Sequence, residues 1–498
     1  MESMTSPELI LITLITLIAA LAAIAYAIKP AEGGAVKTAI KDDKGGLLDK
    51  QSSRNKSEEA RLLNAIKNND CAAIKRYVDL GLSLNYGSCN ETTPIWVAYN
   101  HNPGVIELLA QYQANLEKKN DVGLAPLTNA VVENSIDKVI LLINAGANVE
   151  SLDYSGWTPL MNAVDEKNQS MVSVLLEAGA NVNAQETLGR TPLHLIVNDS
   201  RGSGSDYEDI INRLLEAGAY LGIKTKDGAT PLFLSASNGN LKAMDILLRA
   251  GADLEEPDHN GWTPLMCAVN YRNEAAMSAL LKAGANAEVK TEQGWTPLIL
   301  MVIEENESMV SALLQGGADV DAPDSEGLTP LLWAESKAMI EVLINAGANV
   351  EAQNGCGWTP LLSMICNSGC SKDDNIDIAR LLINAGANLE IGTEDGETPL
   401  IITIFKNNLE AFELLLNAGA NIEARTSNGM TPLMFAVSVN NKAMVKALIS
   451  AGANVNAEDY YSRTPLYIIE NSSKIFKRKY ADITKLLIEA GAKVGVIV

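Results

Sequence analysis

The sequence predicts a mainly α fold, a solenoid of about thirteen stacked helix-turn-helix units, preceded by one N-terminal transmembrane helix. Three observations carry this expectation. A Thr-Pro pair returns at a fixed period, a Gly-Ala pair follows it in phase, and residues 9–28 form an uncharged apolar run near the start of the chain.

Composition sets the frame. Of 498 residues, 47% are hydrophobic but only 5% aromatic, which suits a core built from many similar layers of Leu, Ile, Val and Ala. The formal net charge is −22. Residues 1–61 hold eight Lys/Arg and eight Asp/Glu, which leaves 31 basic and 53 acidic groups, so the whole excess lies in the repeats. Such a surface repels phosphate backbones and argues against nucleic acid. It points instead to a protein partner with apolar and basic surface. Six cysteines, Cys71, Cys89, Cys267, Cys356, Cys366 and Cys370, are too sparse for a disulfide scaffold.

From Leu9 to Ile28 twenty residues carry no charge, and at roughly 1.5 Å rise per residue they match a ~30 Å hydrocarbon core. Ala25-Tyr26-Ala27 has the form of a signal cleavage site, but Glu2 and Glu8 stand where a signal peptide carries Lys or Arg. A retained anchor is therefore the expectation, with a cleaved signal and a periplasmic or secreted array as the alternative. Lys29, Lys37, Lys41 and Lys44 follow the run and place the repeats on the cytoplasmic side of a single-pass membrane protein. The expected division is a short tail (1–8), a transmembrane helix (9–28), a flexible polar linker (29–56) and a repeat array (57–498). Within the array, 57–87 reads as an N-terminal cap, 88–458 as internal repeats and 459–498 as a C-terminal repeat.

Thr-Pro recurs from Thr93-Pro94 to Thr464-Pro465, with Ala125-Pro126 filling one gap, and seven of the eleven spacings are 33 residues. Gly-Ala follows each Pro by twenty residues in the regular units, as at Gly146-Ala147, Gly179-Ala180, Gly251-Ala252 and Gly419-Ala420. Thr before Pro caps a helix whose first turn tolerates Pro, because that N–H has no intrahelical acceptor. A polar break such as Lys167-Asn168-Gln169 ends this helix, and apolar spacing at Met171, Val174 and Leu175 marks a second. Gly179 stops it in the left-handed conformation. The Asp-x-x-Gly before the next Thr-Pro is a tight turn.

The pattern D-x-x-G-x-T-P-L followed by L-L-x-A-G-A-x-V resembles the ankyrin repeat over residues 57–498. The resemblance implies antiparallel helix pairs with projecting β-hairpin fingers, stacked into a curved solenoid. The family's His after Thr-Pro-Leu is present only at His194; most other units have Met, Leu, Ile or Phe there. Three units carry six extra residues between their helices, at Asn198 to Tyr207, Asn367 to Asp374 and Asn471 to Lys479, the last with the basic cluster Lys474, Lys477, Arg478 and Lys479. The unit after Pro330 is three residues short.

Chemistry finds little footing. His101, His194 and His259 lie far apart in a linear stack, and neither G-x-x-x-x-G-K-[ST] nor H-E-x-x-H occurs. No enzyme activity, cofactor, metal or small-molecule substrate is expected. Recognition has better candidates. The residue between the finger Gly and Thr-Pro is Trp157, Trp262, Trp295 or Trp358 in four units, and Tyr154, His259, Tyr460 and Tyr461 stand at finger tips. By the resemblance these positions face a ligand on the concave side, and Trp and Tyr are enriched in interface cores. The competing readings are that the rings only stiffen neighbouring fingers, and that the array is a scaffold or spacer at the membrane without a specific groove ligand.

Overall fold

The computed structural model describes residues 45–87, 92–198, 205–366, 372–470 and 480–493. The chain divides into two compact units, residues 1–64 and 65–498. In the first, the described residues belong to the helix Gly45–Lys67; the second holds the repeats. Among the described residues, twelve helix pairs begin at the Pro of Thr-Pro or Ala-Pro, after the helices Gly45–Lys67 and Cys71–Asp79. The first helix of each pair packs on the first helices of its neighbours, and the second helices likewise, so the repeats form two parallel layers.

One unit shows how the sequence folds locally. Thr158 has extended backbone, and its hydroxyl accepts the Met161 N–H at 3.2 Å, which caps the helix Pro159–Asp165. Lys167 then turns the chain at φ +53°, and Asn168 caps the next helix, Gln169–Glu177, by accepting the Met171 N–H at 3.0 Å. Asn240, Asn273, Asn306, Asn408 and Asn441 cap second helices in the same way. The polar break is thus less a helix ending than the start of the next one. Gly179, at φ +86°, closes the second helix with its N–H on Leu176 O and the Ala180 N–H on Leu175 O. Leu160, Met161, Val164, Met171, Val172 and Leu175 are fully buried, each removing from water an apolar side chain worth roughly 1.5–3 kcal/mol.

Several expectations are corrected. The fold class included a transmembrane helix at Leu9–Ile28. Among the described residues no helix is long and apolar enough to cross a membrane, and residues 9–28 lie outside those described. The one long N-terminal helix is polar, with Asp49, Lys50, Arg54, Lys56, Glu58, Glu59 and Arg61 along it. The fold class that stands is a mainly α repeat solenoid. That helix also begins at Gly45, inside the stretch whose composition reads as linker, because from Leu47 to Lys67 it contains no Gly or Pro and is rich in Lys, Gln, Arg, Glu, Ala and Leu.

The fingers, expected as β-hairpins, form no strand among the described residues. Each is a four-residue turn closed across its base, as where the Asp153 N–H donates to Trp157 O at 3.1 Å, and the arms are too short to extend a ladder. The tail 1–8, the inserted segments 199–204, 367–371 and 471–479 with their basic cluster, and residues 494–498 lie outside the described residues. Cys71, Cys267, Cys356 and Cys366 are free thiols; Cys89 and Cys370 are not among the residues described.

His194 is fully buried. Its Nδ1 accepts from the Thr191 hydroxyl at 2.8 Å and the Thr191 N–H at 3.2 Å, while Nε2 donates to Ala229 O at 3.2 Å in the next unit. This arrangement holds the ring neutral, and burial pushes its pKa down to about 4. Below the ordinary pKa of about 6.5 the unfolded chain therefore takes up a proton that the native ring refuses until about pH 4. Stability is lost as pH falls through that window, by up to about 3 kcal/mol. His194→Met is expected to remove this component, so from pH 7 to pH 4 the urea midpoint of the wild type should fall more steeply than that of the variant.

Candidate functional site

Three features built by the repeat geometry qualify as sites: the finger row, the polar edge, and the half-buried positions of the first helices, as at Trp333. Each finger is set by one turn residue. Asp153 Oδ1 accepts the N–H groups of Ser155 and Trp157 at 2.8 and 2.9 Å. Asp258, Thr291 and Asn354 hold Trp262, Trp295 and Trp358 by the same bond at 2.9, 3.1 and 3.0 Å. The four Trp backbones are therefore fixed, and all four rings are half-buried.

At the tips, Tyr154 is 75% exposed, and Tyr460, Tyr461 and His259 are exposed as well. Tyr154, His259 and Tyr460 each lie across the glycine of the preceding finger, Gly123, Gly228 and Gly429; a Cβ there would stand 3.0, 2.7 and 2.8 Å from a ring atom. His259 and Tyr460 also donate their N–H groups to Asp227 O and Asn428 O of that finger, each at 3.2 Å. The Tyr461 ring lies 5.0 Å from the Arg463 guanidinium, which pairs with Asp459 at 2.7 Å. Burial pushes the Asp459 carboxyl up, but the bonds from Arg463 and Tyr461 outweigh it and hold it below the usual range. The tip rings thus brace neighbouring fingers and still present surface to solvent.

The structure brings Trp295 to a residue that sequence reasoning did not single out. Trp333, at the end of the short helix Pro330–Trp333, meets Trp295 edge to face, with centroids 5.9 Å apart and planes at 79°. Trp333 Nε1 donates to Asp324 Oδ2 at 3.0 Å. The signal was present: Trp333 stands where Cys267, Leu300 and Ser363 stand in other units, beside the three-residue deletion. Trp96, by contrast, is buried and donates to Lys118 O at 2.7 Å. Its neighbour Tyr99 donates to Glu133 at 2.5 Å, under the Lys138 ammonium 3.9 Å from its ring. Burial and the bond to Glu133 push the Tyr99 phenol up. Burial also raises Glu133, but bonds from Tyr99, Lys138 and Asn129 prevail and lower it. This network ties two units together.

Along the polar edge, side chains bond from unit to unit. Glu150 Oε1 accepts the Asn181 N–H at 2.7 Å, and Asn181 Oδ1 in turn accepts the Asn183 N–H at 3.0 Å. Glu117, Glu255, Glu288, Asp321, Glu351, Glu390 and Glu423 make equivalent rungs at 2.6 to 2.9 Å. The row breaks once. Gly222 occupies the acceptor position, so the Asp253 N–H has no acceptor among the described bonds, and a cavity of about 420 Å³ opens between Tyr220, Gly222, Thr230, Leu232, Asp253 and Glu256. Among the described residues no group of three or more His, Cys, Asp or Glu side chains is placed to hold a metal ion.

Comparison with known proteins follows the same geometry. The family model described as ankyrin repeats in three copies matches residues 62–153, 193–291, 276–354, 334–426 and 419–497, and the single ankyrin-repeat model matches 155–187. Among solved structures, the ankyrin repeat domain of Bcl-3, described as a unique member of the IkappaB protein family, is 28% identical. That match covers 45% of this chain and 99% of the other, with a TM-score of 0.42. No curated protein matches.

The broken row makes a prediction. Tyr220→Asn with Gly222→Glu should restore the rung to the Asp253 N–H and raise stability by about 1 kcal/mol. Gly222→Glu alone should gain less, because the Tyr220 ring lies 3.2 Å from the new Cβ. Urea unfolding of the double and single variants checks both.

Proposed function

Because this chain belongs to the ankyrin-repeat family, whose repeats generally mediate protein-protein interaction, we propose that it is a binding module whose protein partner, with apolar and basic surface, docks across the finger bases and the half-buried positions of the first helices beside them. The observation that carries this reading is the row of half-buried Trp rings on fixed backbones, Trp157, Trp262, Trp295 and Trp358. A rigid aromatic with one face open loses little conformational freedom on binding and removes a large apolar area from water. The acidic excess of the repeats favours basic flanks on the partner and speeds encounter with it. No catalytic step belongs to this reading.

Trp262 and Trp295 lie on adjacent units with no insertion between them. With a partner captured by the full chain, Trp262→Ala and Trp295→Ala are each expected to weaken binding by about 2 kcal/mol or more. The informative comparison is affinity against thermal midpoint on the same variants. Unchanged affinity of the folded double variant, with only a lower midpoint, would assign the rings to finger packing and move the binding site elsewhere.

A further inference from the structure

We propose that the corner formed by Trp295 and Trp333 is the seat for a basic segment of the partner, with an Arg or Lys side chain on the Trp faces and its neighbours on the surrounding carboxylates. This deepens, and rests on, the reading of the finger and first-helix face as the binding surface.

Three independent observations converge on the corner. The first is rigidity: Trp333 is locked edge-on to Trp295 and bonded through Nε1 to the buried Asp324, while the Trp295 N–H is held by Thr291, and both rings are only half-buried. The second is shape. The helix Pro330–Trp333 has four residues, where the flanking first helices Pro297–Ile303 and Pro360–Cys366 have seven, so the layer steps down by about 4.5 Å beside the Trp333 ring.

The third is charge. From Thr291 to Ser336 the chain carries nine Asp/Glu and no Lys, Arg or His. Of the cations in the flanking sequence, Lys337 and Arg272 are paired with carboxylates, while Lys290 bonds a neutral carbonyl and keeps its charge. Lys290 donates to Pro323 O at 2.7 Å, Lys337 pairs with Asp377 at 3.1 Å, and Arg272 pairs with Glu304 at 2.9 Å. Glu292 and Glu326, on adjacent finger tips, and Glu335, two residues after Trp333, are exposed and form no described ion pair.

A cation is drawn to the negative face of an indole, and a guanidinium also stacks flat upon it while its edge N–H groups reach carboxylates. A neutral apolar segment would use the rings and gain nothing from the three glutamates. An acidic one would be repelled by them. The chemistry that satisfies both halves of the corner is a short run of Arg or Lys.

The test uses the full chain and three synthetic peptides: one alternating Gly and Arg, one with Glu in place of Arg, and one neutral with Leu and Ser. Binding is read by calorimetry and by Trp fluorescence at two salt concentrations. The Arg peptide is expected to bind and the other two not. Trp333→Leu, and separately Glu292→Gln/Glu326→Gln/Glu335→Gln, should each weaken it by about tenfold or more, while Glu307→Gln/Glu341→Gln on the second helices leaves it unchanged.

Trp333→Phe, which keeps a ring in place, guards against a folding defect in Trp333→Leu; its affinity should fall between the other two. Equal weakening by the second-helix charges would show diffuse attraction and overturn the proposal, as would undiminished binding in a Trp333→Leu variant with a native melting curve. If the neutral peptide bound instead, lost on Trp295→Ala but indifferent to the glutamates, the basic chemistry would fall while the face remained the binding surface. If no peptide responded to either Trp, both readings would fall.

Discussion

A pair of helices of seven and nine residues cannot stand alone. Helices this short are unstable in water, and each pair here is apolar on both flanks, as Leu160, Val164, Val172 and Leu175 show. Burial requires a neighbour on each side, and each neighbour must offer the same surface. From that constraint the rest follows. The units must repeat, the repeat must be in register, and any residue type kept at one position becomes a row along the molecule. The finger turns, the row of acidic rungs and the Trp bases are all rows of this kind.

The repeat architecture was legible because its signals are local: Thr before Pro, Gly after the second helix, and apolar spacing between them. The fingers were placed correctly from Asp-x-x-Gly but were expected as strands, because a family likeness carries a shape without the arm length needed for ladder pairing. The helix Gly45–Lys67 begins inside the polar stretch 29–56, because polarity without Gly or Pro marks a helix as readily as a linker. The Trp positions at the finger bases stand out in the sequence, but the contact of Trp295 with Trp333 does not. These residues are 38 positions apart, and they meet only because one unit follows the next in space.

Net charge alone gives a misleading picture of the surface. Glu117, Glu150, Glu255, Glu288, Glu351, Glu390 and Glu423 each use a carboxylate oxygen to accept a backbone N–H of the following unit. They serve as joints between units as much as sources of field. They keep their charge, and the field a visiting molecule senses is strongest where cations are missing or already paired. The stretch from Thr291 to Ser336 combines nine Asp/Glu with no Lys or Arg.

The single break at Gly222 bears on how the array is joined. In a one-dimensional stack each unit is stabilised by its two interfaces, and cooperativity passes from one to the next only as strongly as they couple. The junction that lacks a rung also borders the helix Ser205–Glu216, which follows an inserted segment. Other bonds cross it: His194 Nε2 to Ala229 O at 3.2 Å, Asn238 Nδ2 to Asn198 Oδ1 at 2.8 Å and Lys242 Nζ to Glu208 at 2.9 Å. The units on either side of Gly222 are thus joined by different side chains from those at the other junctions, with the Trp295–Trp333 corner well inside the longer C-terminal part.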